Sequence, residues 1–247
     1  MEIKKDVKRF NIVVKNVGNF PRCENLAKQV ELAEWKSEKW LRTCDLENLE
    51  VCNRVKTLVN KIITVYEYKG KSDEFYVDGY MTTLMSLLKM DDYPCMMYPQ
   101  YIINAELGKG DDSENISSKC DFGIINKNKK SIIIVIEDKT MRNAKYQDNW
   151  KEIQVLGEIF VALHSSNYNT VYAVRIVANL FTFYRCTISI EYKAASLKKE
   201  LTNEELVVER YPKIEPNELE LNALDFYEYK ERVQILEHLS YIHNQIV

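Results

Sequence analysis

Three charged residues lie where two apolar strands of a hairpin are predicted. Asp121 begins the first strand, and Glu137 and Lys139 follow the apolar run Ile132 to Ile136. Alternate side chains of a strand share a face, so Glu137 and Lys139 are expected on one side and Asp138 on the other. A turn of five residues separates the two strands. The sequence therefore predicts two carboxylates and a lysine together at a sheet edge.

Carboxylates in this arrangement suit a hard divalent cation. Mg²⁺ prefers oxygen ligands at about 2.0–2.1 Å and keeps several waters, so two side chains and a backbone carbonyl suffice. Such an ion orients and acidifies a water molecule and polarises a phosphoryl oxygen. A lysine beside it adds positive charge where negative charge develops in the transition state. The pattern indicates phosphodiester hydrolysis with Mg²⁺ or Mn²⁺ as cofactor.

The elements that must position these residues follow from the apolar spacing. A helix is predicted over about 72–90, with Glu74 on the same stripe as four apolar residues: Val77, Met81, Leu84 and Leu88. A polar loop is predicted over 108–119 and a turn over 126–130. Strands are predicted over 100–105, 121–125, 131–139, 171–178 and 181–189, with a helix over 143–164. A charged connector and a helix over 223–245 close the chain.

The N-terminal region is predicted to be a helical extension. After the short apolar stretch from Phe10 to Val14, apolar residues recur at helical spacing between about residues 24 and 68. The chain is therefore divided into an extension over 1–70 and a second domain over 71–247. The helices of the extension are a candidate surface for a protein partner or for homodimerisation.

Composition sets limits on the function. The net charge is −3, and residues 200–247 alone hold 11 acidic and 4 basic side chains. The remaining residues are mildly basic, so the charge distribution is compatible with binding a polyanion but does not indicate it. No apolar run is long enough to cross a membrane, and MEIKKDVKRF lacks the apolar core of a secretory signal. A cytoplasmic or nuclear location, with no membrane partner, is therefore expected, and the six cysteines are expected to be buried free thiols.

The charged pattern resembles the PD-(D/E)xK nuclease superfamily. Asp121 is followed sixteen residues later by Glu137-Asp138-Lys139, and the next predicted helix carries Gln154. That helix resembles the glutamine-bearing helix that many of these proteins place beside the metal. The resemblance covers roughly residues 72–190. It implies a restriction-endonuclease-like α/β core, with a mixed central sheet flanked by helices in the order αβββαβ, after the helical N-terminal extension.

A second resemblance concerns the C-terminal stretch NALDFYEYKERVQILEHL. It is similar to the nuclease-like modules of Crinkler-type intracellular effector proteins. One departure from the superfamily pattern is Cys120, which stands where the superfamily name has proline. That proline is not a metal ligand, so its absence leaves the chemistry intact.

The superfamily resemblance also implies roles for individual residues. Asp121 and Glu137 would be metal ligands, together with the backbone carbonyl of Asp138. Lys139 would position or activate the attacking water, and Gln154 would hold Lys139, a phosphate or a metal-bound water. Glu74 would be an auxiliary ligand, with Asp78 as the fallback for that role.

Several polar residues in and around this pattern also have a purely structural interpretation. Glu158 reads first as a helix-surface residue paired with a lysine, and Gln154 as an amide at the core edge. Glu74 fits the start of a helix, where the helix dipole favours an acid. The lysines of the predicted turn read first as solvated residues and second as phosphate contacts: Lys127, Lys129 and Lys130.

Two functions remain open at the level of sequence. The first is a nuclease that cleaves DNA or RNA with little sequence specificity, because no base-reading element is visible. The second is a nuclease-like effector without catalysis, acting as a protein-interaction or nucleic-acid-binding module. The intact Asp121, Glu137, Lys139 and Gln154 favour the enzyme, and the scarcity of basic clusters favours the second function.

Overall fold

The computed structural model describes residues 9–23, 46–48, 51–67, 74–108, 113–128, 131–138, 150–200, 203–213 and 222–246. Within these ranges the chain forms eight strands and five α-helices. The strands are β1 Ile12–Asn16, β2 Cys95–Leu107, β3 Glu114–Asn126, β4 Ser131–Asp138, β5 Thr170–Val177, β6 Leu180–Thr187, β7 Leu206–Tyr211 and β8 Leu224–Asp225. The helices are α1 Asn53–Glu67, α2 Glu74–Leu87, α3 Trp150–Ser165, α4 Ile190–Leu197 and α5 Tyr229–Ile246.

The strands form one mixed sheet in the order β1-β7-β6-β5-β4-β3-β2, with β8 paired to β6. The pairs β1–β7 and β4–β5 are parallel, and the other pairs are antiparallel. The central strand β5 is buried from Val171 to Val177. A strand buried on both faces reads as a nearly continuous apolar run, as β5 does.

Helices cover both faces of this sheet. On one face, apolar side chains of α1, α2 and α5 form a core with Tyr172, Val174 and Ile176 of β5. On the other face, α3 and α4 form a second core with Val171 and Ala173 of the same strand. Because successive strand residues point to opposite faces, β5 contributes to both cores. The molecule is thus an α/β fold with a mixed sheet flanked by helices.

The described parts of residues 1–70 are integrated in this sheet and core. Strand β1 pairs in parallel with β7, with Ile12 opposite Leu206. Helix α1 buries Leu58 and Val65 in the same core as α2 and α5. The hydroxyl of Tyr227 donates a hydrogen bond to the carbonyl of Ile62 at 2.5 Å. Residues 24–45 of the stretch predicted to be helical lie outside the described residues.

Several predicted elements are confirmed. The apolar stripe predicted for this helix is buried at Val77, Met81, Leu84 and Leu88, although α2 already ends at Leu87. Strands β4, β5 and β6 occupy the predicted positions, with Lys139 outside the described residues. Helix α3 is confirmed from Trp150 onward, while residues 143–149 also lie outside them.

The predicted polar loop over 108–119 is wrong from residue 114 onward. Glu114 to Lys119 belong to β3 and pair with β2, which starts earlier and ends later than predicted. Ile116 is the one buried apolar side chain in this stretch, so its alternation is too weak to indicate a strand.

The charged connector predicted after β6 is also wrong in part, because it contains α4 and β7. The Ser189 side chain caps α4 by accepting a hydrogen bond from the backbone N–H of Tyr192 at 2.9 Å. In β7, alternate residues are buried at Leu206, Val208 and Arg210. The last helix begins at Tyr229 and not at residue 223, because residues 224–225 form β8 against β6.

Two expectations from composition can be compared with the structure. Five described cysteines are free, and three of them are buried: Cys95, Cys120 and Cys186. Cys52 is exposed and Cys23 is half-buried, so burial holds for part of the set, and Cys44 lies outside the described residues. Across the described chain, none of the helices combines the length and apolarity that a membrane span requires.

Candidate metal centre

The alternation of side chains between the two faces of the sheet is interrupted at Gln100 and Asp121, where β2 and β3 pair. This interruption is called the crossing of the β2–β3 ladder. Cys120 and Phe122 are two residues apart, which in a regular strand puts side chains on one face. Here Cys120 packs in the α3 core and Phe122 in the α1–α2–α5 core. The register of the two strands is interrupted at this step, and Gln100 has a φ of 52°. A positive φ is uncommon for a residue with a side chain, so this crossing is a specified irregularity.

The Asp121 carboxylate lies at the crossing and is held by its neighbour across the strands. Gln100 Nε2 donates a hydrogen bond to Asp121 Oδ1 at 3.3 Å. The Asp121 side chain is half-buried, while Gln100 is exposed. The amide of Gln100 therefore orients a carboxylate that remains accessible from the edge of the sheet.

Gly123 makes room for an aromatic ring beside Asp121. A Cβ atom at position 123 would lie 2.7 Å from Cδ1 and 2.8 Å from Cγ of Tyr101. Real Cβ atoms do not approach other atoms so closely, so the Tyr101 ring packs directly against the β3 backbone. Glycine is required here by close approach, because the ring occupies the space of a side chain.

Helix α3 brings a second carboxylate to the same place. Gln154 and Glu158 are four residues apart and so lie on one helix face. Gln154 Nε2 donates a hydrogen bond to Glu158 Oε1 at 3.0 Å. The Glu158 residue is only 1% exposed. Its second oxygen, Oε2, is buried and has no hydrogen-bond partner among the described residues.

The ionisable groups around Glu158 affect one another's pKa. Burial raises the pKa of Glu158 to about 8; the hydrogen bond from Gln154 lowers it, and the negative charge of Asp121 raises it further. Burial also raises the pKa of the Cys120 thiol to about 12, and the charge of Glu158 adds to that effect. Asp121, Cys120 and Glu158 therefore lie within electrostatic reach of one another, and a positive charge bound there would favour the ionised form of Glu158.

The other predicted site residues are only partly described. The backbone of β4 pairs Val135 with Phe122 of β3, and it pairs Glu137 with Ile176 and Asp138 with Val177 of β5. Glu137 and Asp138 thus end β4 next to the part of β3 that carries Asp121.

The side chains of Glu137 and Asp138 lie outside the described residues, as does Lys139. Glu74 is the first residue of α2, and its side chain is likewise outside them. Asp78, the fallback for Glu74, is half-buried one turn later in α2. Lys127 is exposed in the β3–β4 turn, while Lys129 and Lys130 are not among the described residues.

The surface interpretation of Glu158 is wrong, because this side chain is buried against β3 instead of exposed beside a lysine. The sequence contains a signal for this position. Val155, Glu158 and Ala162 are spaced at i, i+3 and i+7, the spacing of one helix face, and both apolar members are fully buried. Gln154 is exposed overall, and its amide contacts Glu158.

The donor atoms fit a divalent cation in one respect. An unpaired carboxylate oxygen, buried beside a second carboxylate, is the kind of ligand that Mg²⁺ and Mn²⁺ prefer. Among the residues with described side chains, no group of three or more His, Cys, Asp or Glu is arranged to hold a metal ion. The described residues therefore bring together two carboxylates, those of Asp121 and Glu158, next to the end of β4.

Comparisons with known proteins do not identify the chain. No family model matches it, and no curated protein matches it. A solved structure described as "Crystal structure of SSO0001" is similar over 80% of each chain, with 13% sequence identity and a TM-score of 0.31. A likeness with this score establishes neither a common fold nor a common function.

Proposed function

We propose that this protein is a metal-dependent nuclease that hydrolyses phosphodiester bonds in DNA or RNA with little sequence specificity. The observation that carries the proposal is the Glu158 carboxylate, which is buried with one oxygen unpaired beside Asp121. A buried carboxylate without a partner is costly, so its place in the fold needs a compensating proton or cation. Mg²⁺ or Mn²⁺ would supply that compensating charge, and these are the cations that metal-dependent phosphodiester hydrolysis uses.

The order of elements supports the finer fold assignment. From α2 to β5 the chain runs helix, three strands, helix, strand. This is the αβββαβ order that the PD-(D/E)xK resemblance implies for a restriction-endonuclease-like core. Asp121 on β3, the end of β4 and Glu158 on α3 are the positions from which such a core would supply its metal site.

The proposed roles extend those implied by the resemblance. Asp121, Glu137, the Asp138 carbonyl and Glu158 would hold the ion, with Glu74 as an auxiliary ligand. When bound, the ion would supply Lewis-acid chemistry, activating a water and polarising the phosphoryl oxygen. Lys139 would place its positive charge near the attacking water.

The two glutamines would act as positioning residues. Gln154 would orient the Glu158 carboxylate through its hydrogen bond of 3.0 Å. Gln100 would orient the Asp121 carboxylate through its hydrogen bond of 3.3 Å.

Cleavage assays with matched variants test the proposal. Labelled single- and double-stranded DNA and RNA are incubated with Mg²⁺ or Mn²⁺ and with the native chain, Asp121→Asn, Glu158→Gln or Glu191→Gln. Glu191 is an exposed acid in α4 and serves as the matched control. We expect metal-dependent cutting that Asp121→Asn and Glu158→Gln reduce by roughly a hundredfold or more, while Glu191→Gln leaves it unchanged. Cutting that survives both site substitutions in folded protein would reject the proposal.

The second candidate is a nuclease-like effector that does not cut and acts as a protein-interaction or nucleic-acid-binding module. The net charge of −3 favours its protein-interaction form, because a net negative charge repels a polyanion. The same assay distinguishes the two candidates when calorimetric titration with Mn²⁺ accompanies it. Absence of both cutting and metal binding by the native chain would favour the second candidate.

A further inference from the structure

A cavity of about 320 Å³ has in its wall Tyr101, the cross-strand partner of Cys120. Its walls come from Tyr101 and Asn104 of β2, Ile125 and Ile132 at the β3–β4 turn, and Ser165 at the end of α3. This volume lies at the lower end of the range of ligand pockets, about 300–1,000 Å³. The cavity is therefore of a size for one small group.

Tyr101 connects the cavity to the metal centre. It follows Gln100, whose side chain binds Asp121, and it pairs across the strands with Cys120. Its ring lies against the backbone of Gly123, and the ring of Tyr98 lies 5.8 Å away at an interplanar angle of 31°. A ring that is fixed on one side by backbone offers a rigid aromatic surface at low entropic cost.

Four isoleucines contribute to the cavity walls: Ile102, Ile103, Ile125 and Ile132. Ser165 adds a polar side chain to the lining. Its hydroxyl donates to the Ala162 carbonyl at 3.1 Å, which leaves its lone pairs to accept. Apolar walls with a hydroxyl acceptor suit a nucleobase, and a hydroxyl can accept from the N–H groups of more than one base, in keeping with weak sequence specificity.

We infer that this cavity receives one unpaired base of a single-stranded nucleic acid, stacked on Tyr101 while a neighbouring phosphate lies at the metal centre. The inference rests on the proposed function and names its substrate class. Bases of a duplex are already stacked and paired, so a duplex must be opened before a base can enter. An unpaired base enters without that cost, and aromatic side chains near a nucleic-acid channel stack such bases with little regard to sequence.

Binding without catalysis tests the inference. Fluorescence anisotropy, in EDTA to prevent cutting, compares a labelled single strand, the same sequence as a duplex and a strand of equal length made of abasic sites. The variants are Tyr101→Phe, which keeps the ring, and Tyr101→Leu, which keeps apolar bulk without a flat surface. Ser165→Leu fills the cavity from α3, and Tyr93→Leu replaces an exposed tyrosine outside the cavity walls. Circular dichroism melting shows that each variant is folded.

The expected result is that the native chain binds the single strand roughly tenfold or more tightly than the abasic strand or the duplex. Tyr101→Leu and Ser165→Leu are expected to remove this preference, while Tyr101→Phe and Tyr93→Leu keep it. Equal binding of the normal and abasic strands, or a preference that survives both Tyr101→Leu and Ser165→Leu, overturns the inference.

The two proposals fail in different ways in these experiments. If the native chain shows no base preference but cuts nucleic acid in a metal-dependent way that needs Asp121, the base cavity is rejected and the nuclease stands. A base preference without cutting of any substrate rejects the nuclease and leaves a base-binding site. A chain that binds no nucleic acid in either assay rejects both.

Discussion

At the scale of single residues, Glu158 is a carboxylic acid held where a carboxylate is costly. Its pKa is raised from 4.5 to about 8, first by burial. Below about pH 4.5 the group is protonated in the folded and unfolded states and does not affect stability. Between that pH and about 8 the unfolded state ionises while the folded state stays protonated, so stability falls as pH rises. Above about pH 8 this loss is complete.

Glu158→Gln is therefore expected to stabilise the metal-free protein at alkaline pH. At pH 8 its free energy of unfolding should exceed that of the native chain by on the order of 3 kcal/mol, and at pH 4.5 the difference should nearly vanish. Urea unfolding at both pH values in EDTA measures this difference, with Glu191→Gln as the control. A native chain as stable as Glu158→Gln at pH 8 would mean that Glu158 has a compensating partner in the metal-free protein.

Gln100 gives a prediction in which stability and activity change in opposite directions. Gln100→Gly removes the cost of the φ of 52° and should raise the free energy of unfolding by about 1 kcal/mol. It also removes the hydrogen bond to Asp121, so metal affinity or cleavage should fall roughly tenfold or more. Gln100→Ala should lower activity equally without the gain in stability. Thermal melting and Mn²⁺ titration of both variants check this, and unchanged Mn²⁺ affinity in both would remove Gln100 from the site.

At the scale of elements, the crossing of the β2–β3 ladder depends on the contact between Tyr101 and Gly123. Gly123→Ala would place a methyl group against the stem of the Tyr101 side chain, which cannot move aside as a flexible chain end can. We expect a loss of about 1–3 kcal/mol in the free energy of unfolding. Gly79→Ala in α2 is the matched control, because a Cβ there meets nothing within 4 Å. The free energy of unfolding of Gly79→Ala should rise by up to about 1 kcal/mol. Denaturant unfolding of both variants shows whether one is destabilised and the other stabilised.

At the scale of the whole molecule, the N-terminal residues complete the sheet and one core. Deleting residues 1–70 removes β1 from the edge of β7 and α1 from the core that it shares with α2 and α5. The truncated chain is therefore expected to lose cooperative unfolding, as measured by calorimetry, and cannot serve to test dimerisation. Cooperative melting of residues 71–247 at the native temperature would show that the extension is dispensable. Homodimerisation or partner binding through the N-terminal helices stays a prediction, for which solution mass of the full chain is the measurement.

Metal binding is also expected to act on the whole molecule. A ligand that binds the folded state alone raises its stability by mass action. Saturating Mn²⁺ should raise the melting temperature of the native chain and of Glu191→Gln, and should raise that of Asp121→Asn and Glu158→Gln much less. Equal shifts in all four proteins would place the ion elsewhere on the chain.

The sequence by itself determined the elements that repeat locally. The stripe of α2 and the buried strands β4 and β5 follow from apolar periodicity, because a helix or strand aligns nearby residues whatever its neighbours are. The pairing of Phe122 with Val135, which brings the neighbouring Asp121 toward the end of β4, follows in the same way, since a short turn fixes the register of a hairpin.

Tertiary structure alone decided how the candidate site is assembled. Glu158 is distant from Asp121 in sequence, and its burial depends on how α3 packs on β3. The crossing at Gln100 depends on β2 and β3 interrupting their register at the same step. The position of β1 depends on its pairing with β7, which is far along the chain. These contacts join residues that no local period relates, so the energy of burying a carboxylate at this point arises only when the chain has folded.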